Sequence, residues 1–470
     1  MSATSATLAT TSGRRTFALF YAGQFIAITG MELALYSIWT YLVFQYGFPV
    51  WLQVSTFLWY LPFVIASPFA GSLVDRWGAR RSMMVASIAG ALNFMTLALF
   101  TTVGDSPVAP ILFVCTLYFA VILKTFHLAA FDASIPFLVP KRNLGKANGM
   151  RMVVTAGAAI VGFAVSGPIL DALGLYGVIV MGCLCYAFAL LTLRNVSIAK
   201  PSRTAVDTAA GSQLKSLLTE FGWAWRYVTT RPGLASLLGV VALATVGLSS
   251  CEALWHQMAS SFASSDEIVL VAVSAVAGIT IGTVLMMTLG SVRRLADTIL
   301  ASSMLLAGAM VLGSLRPNTA LLAIASFLLL ASGPVLIGSI QTLMQLKVAP
   351  GMLGRTAAMR NVLSSLPFMA TRIASLLLLV PLVGEKDVDA PWLAAIVGAG
   401  PGRGIATTTL VIGLVLATCF LLVYLHSSVR SVEQNFPDVT PHDLASDSPQ
   451  SALLGGAPAR SGSTVGPRST

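Results

Sequence analysis

The sequence predicts an all-α integral membrane protein whose twelve transmembrane helices form two six-helix bundles. Three observations carry that prediction. Apolar residues make up 56% of the chain and charged residues only 10%, with a mean hydropathy of +0.83, whereas a soluble globular protein carries about a quarter charged residues. The apolar residues gather into runs of about 20, the length that crosses a ~30 Å hydrocarbon core. A segment before the fifth run recurs before the eleventh, so the chain reads as two like halves.

In order, the first-half spans are expected at Phe17 to Trp39, Val50 to Ala70, Ser82 to Thr102, Pro110 to Phe131, Ala147 to Leu170 and Gly174 to Leu193. The second half gives Leu234 to Trp255, Ile268 to Gly290, Leu295 to Leu315, Thr319 to Met344, Ala358 to Leu382 and Ile405 to Leu425. The chain therefore divides into an arm (1–16), a bundle (17–193), a linker (194–233), a second bundle (234–425) and a tail (426–470). In the linker, Leu214, Leu217, Leu218, Phe221 and Trp225 recur at helical spacing, which predicts an amphipathic helix along the membrane surface. Another long connection, Val383 to Gly404, is interrupted by Gly and Pro, and the tail is rich in Ser, Pro, Gly and Ala, which predicts disorder.

Charge sets the orientation. Of the 28 Lys and Arg residues, all but five fall in segments on one face: Arg316, Lys386 and Arg403 belong to the other, while Lys124 and Arg372 lie within spans. The positive-inside rule puts the basic face and both termini in the cytoplasm of a multi-pass cell-membrane protein. The net charge of +10 is scattered between apolar runs rather than gathered on a soluble face, so nucleic acid is not an expected partner. The five cysteines, Cys115, Cys183, Cys185, Cys251 and Cys419, lie in or beside spans and make no metal or disulfide pattern. The Arg14-Arg15 pair is the inside flank of span one, with no small-residue cleavage site after a short apolar core.

Two motifs stand out. Gly71-Ser72-Leu73-Val74-Asp75-Arg76-Trp77-Gly78-Ala79-Arg80-Arg81 is a short charged turn between spans two and three. The repeat pairs Leu144-Gly145-Lys146-Ala147-Asn148-Gly149-Met150-Arg151 with Leu353-Gly354-Arg355-Thr356-Ala357-Ala358-Met359-Arg360. With these motifs and spans the chain resembles the major facilitator superfamily of secondary transporters, whose signature loop the first motif resembles, with Ala79 in place of a basic position. Gly23-Gln24, Leu138-Val139-Pro140-Lys141, Gly145 to Gly149, Arg226-Tyr227, Arg231-Pro232, Gly354-Arg355, Gly400-Pro401-Gly402-Arg403-Gly404, Val432-Glu433 and Pro437-Asp438 resemble the branch of enterobactin and macrolide exporters, including exporters linked to peptide natural-product synthetases. The glycines of span five, Gly157, Gly162 and Gly167-Pro168, are spaced differently from that family's antiporter motif.

The resemblance implies a major facilitator fold and a proton-coupled exporter of a small hydrophobic or amphipathic molecule, such as a drug, siderophore or peptide natural product, acting as a monomer. It implies a cavity lined by spans one, four, seven and ten. Ionisable groups within spans are expensive and mark function. Glu32 is the candidate proton-exchanging carboxylate, with Lys124 or Arg372 modulating its charge, or else forming a fixed ion pair that holds helices together. Gln24, Tyr36, His127 and Gln341 are further candidates for the cavity, as are Asn93, Trp39, Trp59 and Tyr118, each also readable as packing. Glu252 and His256, one turn apart, are expected at the mouth.

The gating set is Gly71, Asp75, Arg76, Gly78, Arg80, Arg81, Arg355 and Arg360, with Asp75 meeting the start of span eleven between Arg355 and Arg360. No catalytic or metal cluster is evident, since His127, His256, His426 and His442 fall in different regions, and no phosphate-binding loop supplies an ATPase engine. The expected energy source is therefore the proton gradient, with no cofactor and the lipid bilayer as partner. An importer or facilitator without antiport, and a non-transporting membrane sensor, remain the competing readings.

Overall fold

The computed structural model describes residues 11–46, 48–100, 109–140, 143–196, 222, 225–289, 294–348, 353–375 and 390–425. These residues are helical almost throughout, and there is no strand among them. The predicted linker helix falls largely outside the described residues, as does the tail. The first half comprises α1 (Thr11–Tyr46), α2 (Phe48–Trp77), α3 (Ala79–Phe100), α4 (Ala109–Leu138) and a 51-residue helix, Leu144–Arg194. Gly174, at φ 64° and ψ −171°, breaks that last helix into α5 (144–173) and α6 (175–194).

The two arms double back on each other. Near the start of α5, the Ala147 carbonyl accepts from the Tyr21 hydroxyl at 3.0 Å. Near the end of α6, Thr192 packs against Gly23, only two residues along α1. An unbroken helix of this length would span more than twice a ~30 Å core, so a glycine with positive φ turns one rod into two crossings.

The second half comprises α7 (Pro232–Ser260), α8 (Ser265–Leu289), α9 (Leu295–Ser314), α10 (Thr319–Lys347), α11 (Leu353–Ala374), the short α12 (Pro391–Val397) and α13 (Arg403–Leu425). Among the described residues, nine helices are long and apolar enough to cross a membrane, the double-length Leu144–Arg194 counting as one of them. Helix α11 is not in that set, and it carries Arg355, Arg360 and Arg372.

In lipid there is little hydrophobic drive between helices, so small residues that allow close approach must do the packing. A Cβ on Gly162 would come within 3.0 Å of the Leu33 amide nitrogen on α1, and one on Gly30 within 2.6 Å of the Cys185 Cβ on α6. The cores are correspondingly local. Phe20, Met83 and Phe131 fill one end of the first bundle, Phe94, Phe113 and Leu117 fill the other, and Leu254, Leu306 and Met310 lie in a single core of the second bundle. Leu92, Met95, Val269, Val273 and Leu422 point outward, as a lipid-facing surface requires.

Three sequence expectations change. The charged turn shrinks to one residue: Gly71 lies inside α2, and only Gly78 leaves helical geometry, at φ 83°. The Gly78 amide donates to the Val74 carbonyl at 2.8 Å, and its own carbonyl accepts from the Ser82 amide at 3.1 Å, so it closes α2 and opens α3. Arg151, Arg355 and Arg360, counted above with the basic face, lie inside α5 and α11, with Arg360 buried. Arg403, assigned to an external loop, is the first residue of α13 and is only 1% exposed.

Candidate functional site

Most of the basic residues in or beside the described helices mark one end of the molecule, and there the two bundles are joined. Asp132, near the end of α4, is buried between two arginines. It pairs with Arg151 Nε from α5, and its Oδ2 accepts from Arg360 Nη2 on α11 at 3.1 Å. Beside it, Asn148 Nδ2 on α5 donates to Thr342 Oγ1 at 3.0 Å and Gln345 Oε1 at 2.7 Å, both on α10. Gln345 Nε2 in turn donates to the Asp132 carbonyl at 3.4 Å. Gly149 lets the bundles touch: a Cβ there would sit 2.7 Å from the Met287 amide nitrogen on α8.

The repeat explains this convergence. Arg151 and Arg360 occupy its matching final positions, so the two halves bring equivalent arginines to one carboxylate. Both α4 and α10 end six residues before their repeat copy, which makes Gln341 the counterpart of Asp132. Gln341 is buried, and this register assigns it to the joined end rather than to a cavity further along α10. Asp132 itself escaped the sequence reading because a carboxylate at the end of a span looks like an ordinary flank. The signal was available in the repeat, whose two arginines in spans need a partner.

The turn motif supplies a second junction. Asp75 Oδ2 lies 3.8 Å from Arg355 Nε, both side chains mostly buried. The expected range from Arg355 to Arg360 thus narrows to Arg355, because Arg360 is committed to Asp132. Arg80 does not reach the other bundle: its Nε and Nη2 donate to the carbonyls of Leu193 and Arg194 at 2.9 and 3.0 Å, capping α6. Arg76 and Arg81 are exposed on the same end.

Further along, α1 and α4 face each other across polar rungs. Glu32 is 4% exposed, and Lys124 Nζ lies 2.6 Å from its Oε1. Lys124 stands ~12 Å from Asp132 along the helix, so the pair lies deep in the bundle and well clear of the joined end. One turn toward that end, His127 Nε2 lies 2.7 Å from Gln24 Oε1, an arrangement in which the ring N–H donates. Asn93 donates to the Thr116 carbonyl at 3.3 Å and serves packing between α3 and α4.

Arg372 was a candidate modulator of Glu32, but the structure pairs it with Glu252 Oε1 at 3.4 Å, between α11 and α7. Glu252 is half-exposed. Nearby, Tyr60 on α2 stacks on Phe368 of α11 with ring centroids 4.1 Å apart, and Tyr36 meets Phe163 edge-on at 5.2 Å. Trp39 and Tyr118 are half-buried, and the side chains of His256 and Trp59 lie outside the described residues. The resulting site holds two acid–base pairs among aromatic rings, closed at one end by the Asp132 and Asp75 junctions.

Among the described residues, two bundles of helices long and apolar enough to cross a membrane are pinned together by ion pairs at one end, which is the architecture of a small-molecule transporter rather than an enzyme. The chain belongs to the Major Facilitator Superfamily, whose model matches residues 16–371. It is 25% identical over 360 residues to macrolide efflux protein A of Streptococcus pyogenes, covering 74% of this chain and 86% of that one. The protein of that name in Enterococcus faecalis is 25% identical over 319 residues, 66% of this chain and 95% of the other. Among solved structures, the human organic anion transporter MFSD10 superposes with a TM-score of 0.61 at 13% identity, covering 87% of this chain and 99% of its own. The E. coli fucose:proton symporter FucP gives 0.56 at 14% identity, covering 87% and 98%.

Proposed function

We propose that this transporter is a proton-coupled exporter of a small hydrophobic or amphipathic molecule, working as a monomer by alternating access across twelve membrane spans. The observation that carries the reading is the Glu32–Lys124 pair, a buried carboxylate and a lysine on facing helices above a sealed end. A carboxylate so placed can be charged against Lys124 or neutral with a proton. Proton uptake on Glu32 releases Lys124 and changes the charge of the cavity without breaking any bond at the gate. The aromatic residues Tyr36, Tyr60 and Phe368 offer an apolar substrate flat surfaces beside those charges.

The basic end is the cytoplasmic end by the positive-inside rule, which also places both termini there. The state described is then closed to the cytoplasm. Opening requires Arg360 to leave Asp132 and Arg355 to leave Asp75, whereas Arg151 moves with Asp132 in its own bundle. Export is favoured over import by the relatives named for macrolide efflux. A pH-indicator dye with detergent-purified protein tests the coupling. Addition of a transported macrolide should release protons from the parent and none from Glu32→Gln; equal release from both would remove Glu32 from the mechanism.

A further inference from the structure

We propose that Arg403 and the N-terminus of α13 form a binding site for a small inorganic anion, at the end of the molecule opposite the gate. The location follows from α13 itself. Near its far end, Tyr424 donates to Asp297 Oδ1 at 2.9 Å, in the first turn of α9 beside basic Arg294. Arg403 lies 21 residues earlier, ~32 Å away along the helix.

Among the described residues, Arg403 is the largest of the wholly buried side chains. Its Nη1 donates to the Val397 carbonyl at 2.9 Å, capping the short helix α12, and its Cζ lies 5.2 Å from the centre of the Phe262 ring. Its Nε and Nη2 are inaccessible and, among the described residues, have no hydrogen-bond partner. Among the described residues, no carboxylate comes within ion-pair distance of it. A buried unpaired charge is strongly unfavourable, and two unfilled donors on it add to that cost.

Arg403 is also the first residue of α13, so the free amides of the helix start on the residue that carries the guanidinium. The opening bond of the helix runs from the Ala406 amide to the Gly402 carbonyl, at 3.2 Å, which leaves the amides of residues 403–405 without intrahelical partners. Gly400 and Gly402, at φ 109° and 77°, shape the turn that enters it, and a Cβ on Gly400 would meet open space. Guanidinium donors and helix amides together suit an anion. Exposure of only 1% suits an ion that enters alone, such as chloride, rather than a headgroup tethered to acyl chains.

The test uses the full chain in uncharged detergent, with chloride replacing gluconate at constant ionic strength. At ten times its Kd the ion should raise the folded-to-unfolded ratio about 11-fold, read as a higher Tm. Arg403→Gln should lose that difference, while Arg316→Gln, at an exposed arginine between α9 and α10, should keep it. For the parent alone, bromide-substituted crystals should show anomalous density beside Nε or Nη2. Equal Tm of the parent in both salts, a chloride effect that survives in Arg403→Gln, or no bromide density there would each overturn the proposal. So would a chloride-independent loss of stability on neutralising Glu385, Asp387 and Asp389, which lie outside the described residues, since a carboxylate of the chain would then hold the guanidinium.

Discussion

Replacing Asp132 by Asn should unseal the gate at the basic end, and the size of the effect follows from which of its two bonds crosses between bundles. Asp132 to Arg151 lies within the first bundle and survives opening, so its loss affects both states alike. Asp132 to Arg360, at 3.1 Å with both side chains at most 10% exposed, exists only when the bundles are joined. A hydrogen bond to a charged group contributes about 1.5–3 kcal/mol. At 1.36 kcal/mol per factor of ten, the variant should favour the state open at that end by about 10- to 150-fold. The assay is maleimide labelling of Thr342→Cys, a buried gate position, in a background free of native cysteines. Its rate should rise by that factor in Asp132→Asn and in Arg360→Gln, whereas Arg151→Gln should chiefly lower thermal stability. An unchanged labelling rate in a folded Asp132→Asn protein would refute the assignment of Asp132 as the main fastening.

Three further outcomes are expected. Asp75→Asn should speed the same labelling less than Asp132→Asn does, because at 3.8 Å the Asp75–Arg355 contact is too long for a hydrogen bond whereas Arg360 reaches Asp132 at 3.1 Å; a larger effect than that of Asp132→Asn would reverse the ranking of the two junctions. Gly149→Ala puts a Cβ against the Met287 backbone, which cannot swing aside as a side chain can, so overpacking of about 1–3 kcal/mol should also open the gate, and slower labelling would contradict this. Lys124→Ala leaves Glu32 buried without its partner and should cost about 3–5 kcal/mol of stability, largely recovered when Glu32→Gln is added. Failure of that rescue in thermal melts would mean that Lys124 is needed for packing rather than for charge.

The helices were legible because the bilayer imposes a length and an apolar composition on anything that crosses it. The basic end was legible for a similar reason, and so was the halving of the chain, since the repeat survives as sequence. Partner choice was not. Glu32 had two candidate cations, and only the packing of α1 against α4 selects Lys124 while the crossing of α7 and α11 gives Arg372 to Glu252. Asp75 was recognisable from its motif, yet Asp132, the more deeply buried of the two carboxylates, has no motif around it. Arg403 read as a loop charge because glycines and a proline surround it, and nothing in that composition tells that its guanidinium packs against the Val397 carbonyl and the Phe262 ring.

Flux through the purified protein in liposomes tests the central claim most directly. With a proton gradient imposed, labelled macrolide should accumulate against its own gradient in exchange for protons, collapse when a protonophore is added, and be absent in Glu32→Gln. Transport that is indifferent to the proton gradient, or equal in the Gln variant, would contradict proton-coupled export through Glu32.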